Sequence, residues 1–236
     1  VDQQLEMHDL KSSAMGGTMN LNGVYNTQNP DKPTFDLKYD LSQIQFSQMY
    51  KSIISFQLLA PIAQYIEGIF NTSFVASGSL KKDMMPDFST INVNGLIETI
   101  NGIVRGFKPV ESIADKLNLK EFKSISLENT KNWFQVENGA VSVKEFQKKI
   151  ADVDMKVSGT HQISGPMDYK FVFKIPREKL NKIPDGGVVD KGIGFLNSLS
   201  TQTGIPISVG EYINIAVGLK GSIANPDIKF NLLGSD

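Results

Sequence analysis

The sequence predicts an α+β protein: a curved, mostly antiparallel β-sheet, arranged as a groove-like meander, with a few helices packed on the sheet or capping it. Runs of alternating apolar and polar residues recur along the chain, which is typical of strands with one buried face. Two segments between residues 47 and 70 place apolar residues three or four apart, which favours helices. Five strand-like runs also carry a glycine on their apolar face: Gly23, Gly78, Gly95, Gly159 and Gly221. Because glycine inside a strand marks a bend, a bulge or a close approach, these glycines predict curvature of the sheet.

The first predicted strand covers residues 16–25 and begins at Gly16-Gly17. A turn containing two prolines, residues 29–33, then reverses the chain. The next strand, residues 34–41, has the clearest alternation in the sequence, with four apolar side chains on one face: Phe35, Leu37, Tyr39 and Leu41. Its other face is polar, as in an antiparallel sheet with one side in water.

The chain then changes to helical spacing. Helices are predicted over residues 47–56 and 61–70, and Pro61 is expected to divide them. Two strands joined by a polar loop come next, at residues 72–80 and 90–98. Pro109 suits the first position of a further helix over residues 110–117.

An antiparallel meander is predicted over residues 122–176, where Asn138-Gly139 is a strong signal for a hairpin turn. The last strand of the meander has four large apolar side chains on one face: Met167, Tyr169, Phe171 and Phe173. A helix over residues 188–202 and a closing hairpin around Ala224-Asn225 complete the prediction. No clean linker interrupts the chain, since the stretch 184–187 is equally consistent with a loop beside a helix. We therefore expect a single domain over residues 1–236.

Composition excludes several classes of function. Apolar residues make up 40% of the 236 residues and charged residues 21%, as in a folded protein. The net charge of −1 argues against a protein that binds nucleic acid mainly through phosphate contacts. The absence of cysteine excludes disulfides, thiolate metal sites and cysteine nucleophiles. The sequence starts without a methionine or a signal peptide, so we expect it to be a fragment of a longer polypeptide.

Residues that could support catalysis are few. Only two histidines occur, His8 and His161, and we expect both to be exposed or on a strand surface. The sequence contains no nucleophile motif, phosphate-binding loop or metal-ligand spacing. Trp133, the single tryptophan, is expected to pack in the core or at a sheet edge. The sequence therefore predicts no enzyme, no catalytic residues, no metal and no cofactor.

The two apolar strand faces leave two interpretations open. Their side chains could line a site for an acyl chain, which makes eight residues candidates for a lipid groove: Phe35, Leu37, Tyr39, Leu41, Met167, Tyr169, Phe171 and Phe173. Alternatively, the helices predicted within residues 49–70 or at residues 188–202 could cover these faces as an ordinary core. The five glycines fit either interpretation, because they make room for acyl chains or for helices.

Three segments carry a resemblance to a known family. The run VGLKGSIANPDIKF at residues 217–230 resembles the closing strand pair of AsmA-like proteins, the superfamily that includes TamB. AMGGTMNLNG at residues 14–23 resembles a strand of that family that begins with Gly-Gly. DVDMKVSGTHQISGPMDYKFVFKIP at residues 152–176 is similar to the C-terminal periplasmic region of Bacteroidetes-type members.

The resemblance implies a location and a type of ligand. AsmA-like proteins are envelope proteins of Gram-negative bacteria, anchored in the inner membrane by an N-terminal segment and projecting into the periplasm, and they act in outer-membrane biogenesis. It implies an apolar β-groove that binds or guides lipid acyl chains, with envelope assembly proteins as further partners and no nucleic acid. The alternative function is a structural or interaction module that assists outer-membrane protein assembly, with its apolar face filled by its own helices.

Overall fold

The structure, a computed structural model, describes residues 3–163, 165–180, 210–223 and 225–235. Strands dominate the first part of the chain: β1 Gln4–Ala14, β2 Gly17–Asn26, β3 Thr34–Gln45, β4 Ile66–Glu67, β5 Ile69–Ser79, β6 Asn92–Thr99 and β7 Ile103–Arg105. Strands also dominate the second part: β8 Ser124–Ser126, β9 Thr130–Glu137, β10 Ala140–Ile150, β11 Val153–Gln162, β12 Met167–Pro176, β13 Tyr212–Ser222 and β14 Asn225–Ser235. The described helices are short: α1 Phe46–Ser52, α2 Ile54–Leu59, α3 Lys108–Lys116 and α4 Arg177–Leu180.

Eleven of these strands form one sheet, in the order β1-β2-β3-β5-β6-β9-β10-β11-β12-β13-β14. A second sheet has the order β4-β7-β8. Neighbours such as β2 and β3, β5 and β6, and β12 and β13 pair in antiparallel fashion. The predicted mostly antiparallel sheet with a few helices is therefore confirmed. The helix predicted at residues 188–202 and the stretch 184–187 lie outside the described residues.

The prediction of a helix over residues 61–70 is wrong. Pro61–Tyr65 forms one 3₁₀ turn, and the chain then continues into β4 and β5. Gly68 has a φ of +131°, which no helix accommodates, and Ile66 pairs with Val104 in the small sheet. The helix predicted over residues 47–56 divides into α1 and α2 because Ile53 is extended, with φ −119° and ψ 104°.

β1 and β3 each contain a β-bulge, and the two bulges are built in the same way. In β1 the register shifts between Met7 and Leu10, and Asp9 has a φ of +47°. The backbone N–H of Asp9 donates to the side-chain oxygen of Asn22 on β2 at 2.8 Å. In β3 the register shifts between residues 41 and 44, and the N–H of Gln43, with φ +56°, likewise donates to an asparagine of the partner strand at 2.8 Å. A bulge bends its strand and increases the local twist.

Two compact units divide the chain. Unit 1 comprises residues 1–105, 126–144 and 159–165, and unit 2 comprises residues 106–125, 145–158 and 166–236. One core cluster of unit 1 contains Ile91, Val93, Val136, Val141 and Ile163. The core of unit 2 combines strand and helix residues: Val153, Met155, Phe173, Ile175, Val217, Ile113, Leu117 and Phe122. The single domain expected over residues 1–236 stays a prediction.

Candidate functional site

An apolar surface that several strands of unit 1 share lies on one side of β1, β2, β3 and β5. Directly opposite residues of an antiparallel pair point to the same side of a sheet, so the registers define three rows across these strands. The rows are Leu5-Tyr25-Phe35-Gly78, Met7-Gly23-Leu37-Ala76 and Leu10-Leu21-Tyr39-Phe74. We call the surface formed by these three rows the β3 face.

The middle of the β3 face is half-buried rather than covered. Phe35, Leu37 and Tyr39 are all partly exposed, as are their partners on β2 and β5. On β1, which has no partner on its other side among the described strands, Leu5 and Leu10 are 58% and 55% exposed. Phe35, Phe74 and Ala76 pack against the core cluster of unit 1, so the exposed part of the β3 face lies towards β1.

Helices close one end of the β3 face. Leu41, the fourth candidate on β3, is only 3% exposed, and α1 contacts β3 at this end. The Phe70 ring lies 4.4 Å from the Phe46 ring and 6.1 Å from the Phe56 ring, so α1 and α2 both pack on the start of β5. The interpretation that helices cover the apolar face therefore holds at Leu41.

The glycines predicted to curve the sheet have different surroundings. A Cβ at Gly78 would lie 2.6 Å from the Cδ1 atom of Ile91, and a Cβ at Gly95 would lie 2.5 Å from the Cζ atom of Phe134. Side chains of the chain itself therefore occupy the space above these two glycines. Gly23, with a φ of +144°, packs against the backbone of β3 opposite the β1 bulge.

Of the other two predicted glycines, Gly221 belongs to unit 2 and Gly159 begins the last segment of unit 1. Gly221 has a φ of +93°, and no described atom lies within 4 Å of the position of its absent Cβ. Gly159 lies within β11 and is half-buried.

Aromatic stacking gives the β3 face its chemical character. The Tyr39 and Phe74 rings stack with centroids 5.0 Å apart, and Phe74 lies 6.4 Å from Phe134. Burial raises the pKa of the Tyr39 hydroxyl, so this side chain stays neutral at physiological pH. The three rows contain no charged residue, which suits an apolar ligand and provides no group for acid-base chemistry.

The apolar strand face of unit 2 is more deeply buried. Met167 and Phe173 are buried, whereas Tyr169 and Phe171 are half-buried. Phe122 packs edge-on against Phe173 with centroids 5.4 Å apart. Burial also raises the pKa of Tyr169 to about 12. Of the two candidate faces, the one in unit 1 is therefore the more accessible.

His8 and His161 occupy unrelated environments. His8 is exposed, with Nε2 lying 3.3 Å from a Glu6 oxygen. His161 is half-buried in unit 1, and its ring bonds to the backbone of Leu58 and Leu59 in α2. Burial lowers the pKa of His161, and these bonds oppose that shift. In the part of the chain that the structure describes, no three His, Asp or Glu side chains form a group that could hold a metal ion.

Several surface features are not predicted from the sequence. Trp133 is 55% exposed, on the opposite side of the sheet from Phe134, and its strand β9 lies between β6 and β10, so the prediction that it packs in the core or at a sheet edge is wrong. In unit 2, Lys179 forms ion pairs with both Glu121 and Asp152. An open depression near the β1–β2 turn is lined by Ser13, Ala14, Gly16, Gly17, Thr18, Ser42 and Gln43.

Comparison with family models, curated proteins and solved structures finds no match to this chain. Within the described ranges, none of the helices has the length and apolar character needed to cross a bilayer. The geometry of the β3 face is therefore the main structural indication of function.

Proposed function

We propose that this chain is a non-enzymatic lipid-handling domain that binds or guides acyl chains along the β3 face. The observation that carries the proposal is the continuity of an uncharged apolar surface across four strands, exposed at Leu5 and Leu10 and half-buried at Leu37 and Tyr39. A surface that belongs to a protein core would be covered by other side chains along its whole length, and an ordinary solvent-facing surface would contain charged residues.

An acyl chain needs no polar groups for binding. Each buried methylene contributes about 0.8 kcal/mol, so about ten buried methylenes contribute roughly 8 kcal/mol before the cost of association. This is enough to offset the lower estimates of that cost, about 4 kcal/mol. Leu37, between Gly23 and Ala76, would supply a shallow channel floor flanked by the larger side chains of the neighbouring rows.

Curvature of the sheet around this surface is part of the proposal. The bulges at Asp9 and Gln43 bend β1 and β3, and Gly23 allows the backbone of β2 to approach β3 closely. Bending at these positions would turn the β3 face into a groove.

The resemblance to AsmA-like proteins adds a cellular setting to the proposal. The full-length protein would be anchored in the inner membrane and would place this domain in the periplasm, where it takes part in outer-membrane biogenesis. Its partners would be phospholipids or related lipids and envelope assembly proteins.

A second candidate function is an interaction module whose apolar faces are filled by its own side chains. The packing of Phe122 on Phe173 and of Ile91 over Gly78 favours this alternative. The alternative predicts a purified chain free of lipid and unable to take one up.

Lipid extraction, native mass spectrometry and uptake of a fluorescent phospholipid distinguish the two functions. We expect co-purified lipid and saturable uptake by the unmodified chain. Leu37→Asn should reduce uptake several-fold, whereas Val75→Asn, a matched change at a 50% exposed position on the opposite side of the sheet, should not. A chain that purifies without lipid and takes up none would exclude the lipid function and favour the interaction module.

A further inference from the structure

The loop between β5 and β6 begins with a tightly held turn. Leu80 and Pro86 form an isolated β-bridge that closes the turn. Within it, the N–H of Lys81 donates to the carbonyl of Met85 at 2.8 Å, and the N–H of Met84 donates to the carbonyl of Lys81 at 2.9 Å. We call residues 80–86 the loop tip.

The loop tip presents two methionines to solvent. Met84 is 55% exposed and Met85 is 50% exposed. Met84 has a φ of +64°, a left-handed conformation that glycine or asparagine adopts at lower cost than methionine. Met84 thus keeps an exposed apolar side chain in a backbone conformation that costs methionine free energy, a combination found at sites of interaction.

The loop tip adjoins the β3 face. The Tyr25 hydroxyl lies 3.8 Å from the sulfur of Met84, and Tyr25 pairs with Phe35 in the first row of the face. This end of the face is opposite to the end that α1 closes at Leu41. A ligand that enters the face at this end would pass Met84.

The charges around the loop tip balance. Lys82 pairs with Asp31 at 3.1 Å, and Asp87 lies within electrostatic range of Lys81 and Lys32. With Asp83, the group contains three cations and three anions. Attraction by net charge is therefore not the basis of binding here, while the long lysine side chains can extend towards a headgroup layer.

We propose that the loop tip docks on a phospholipid bilayer and inserts Met84 and Met85 among the acyl chains, so that lipid reaches the β3 face directly from the membrane. The delivery part of this proposal rests on the proposed function; the docking part does not. A bilayer fits better than a protein partner, because one turn with two methionines is much smaller than the roughly 800 Å² per partner of a stable protein interface. Methionine is also flexible enough to pack among disordered chains.

Single-cysteine labelling tests the docking, since the chain contains no cysteine. An environment-sensitive NBD dye is attached to Met85→Cys and, as the control, to Val75→Cys on the opposite side of the sheet, where exposure is also 50%. With phosphatidylcholine vesicles, we expect a blue shift and a several-fold gain in emission at position 85 and no change at position 75. The pair Met84→Asn and Met85→Ser should lower vesicle co-sedimentation about tenfold or more, with little dependence on salt.

Two outcomes overturn the docking. One is an unchanged emission at position 85 with vesicles present, and the other is co-sedimentation that the methionine variants leave intact. Uptake of detergent-dispersed phospholipid, measured without vesicles, separates this proposal from the proposed function. Uptake without a response at position 85 overturns the docking alone, whereas a response at position 85 without uptake supports docking and contradicts lipid binding along the β3 face.

Discussion

Replacing Gly95 by alanine tests whether the glycines of the sheet make room for side chains of the same chain. The added Cβ would lie 2.5 Å from the Cζ atom of Phe134 and 2.6 Å from the Cβ atom of Phe74. Carbon atoms in contact lie about 3.5–4.0 Å apart, so the overlap is about 1 Å. The Phe134 ring can rotate away, but the Cβ of Phe74 moves only with the backbone of β5.

The magnitude follows from these two contacts. Overpacking a core costs about 1–3 kcal/mol. The lower entropy of the unfolded chain with alanine returns about 0.4–1 kcal/mol. We therefore expect Gly95→Ala to lower the free energy of unfolding by about 1–2 kcal/mol, which corresponds to a fall in Tm of about 2–8 °C for a chain of this size.

Urea and thermal unfolding, followed by circular dichroism and by the fluorescence of Trp133, measure this change. Trp133 is the single tryptophan and precedes Phe134 in β9, so its signal comes from the strand that must adjust. Gly218→Ala is the matched control, because no described atom lies within 4 Å of its Cβ position and its φ is not in the left-handed region. Equal stabilities of the Gly95 and Gly218 variants would refute the reasoning that Gly95 is needed for close packing.

Three further predictions concern single interactions. Asn22→Ala removes the acceptor for the N–H of Asp9, so the unfolding free energy should fall by about 1 kcal/mol and hydrogen exchange at the Asp9 amide should accelerate; unchanged exchange would show that the bulge does not depend on this side chain. Because burial lowers the pKa of His161 in the folded state, the unfolded chain binds the proton first as pH falls. The stability contributed by neutral His161 should be fully present above pH 7 and decline below its ordinary pKa of about 6.5, a decline that urea unfolding of His161→Asn should not show. The hydrogen bond from Lys179 lowers the pKa of Asp152, so Lys179→Met should raise that pKa in an NMR titration, and an unaltered titration would contradict the ion pair.

Alternation predicted the strands that it marks without interruption. In β3 and β12 the apolar residues keep a period of two, and the structure contains both strands, although β3 continues four residues beyond its predicted end at residue 41. The hairpin at Asn138-Gly139 is also confirmed, since Glu137 pairs with Ala140 directly across it. These features depend on local sequence alone.

Long-range features were not predictable in the same way. The bulge at Asp9 inserts one residue, so Met7 and Leu10 share a face although their spacing is odd, and period-two counting fails to detect β1. At residues 61–70 the helical spacing is outweighed by Gly68 and by the pairing of β4 with β7, a strand about 36 residues further along the chain. The exposed part of the candidate site could not be predicted because Leu5 and Leu10 are brought to it by the fold.

Site-specific photo-crosslinking tests the central claim most directly. Benzoylphenylalanine replaces either Tyr39, in the third row of the β3 face, or Trp133, an aromatic residue on the opposite side of the sheet. We expect illumination with phospholipid to give a protein-lipid adduct in the mass spectrum at position 39 and none at position 133. Equal adducts at both positions, or none at position 39, would contradict the claim that the β3 face binds acyl chains.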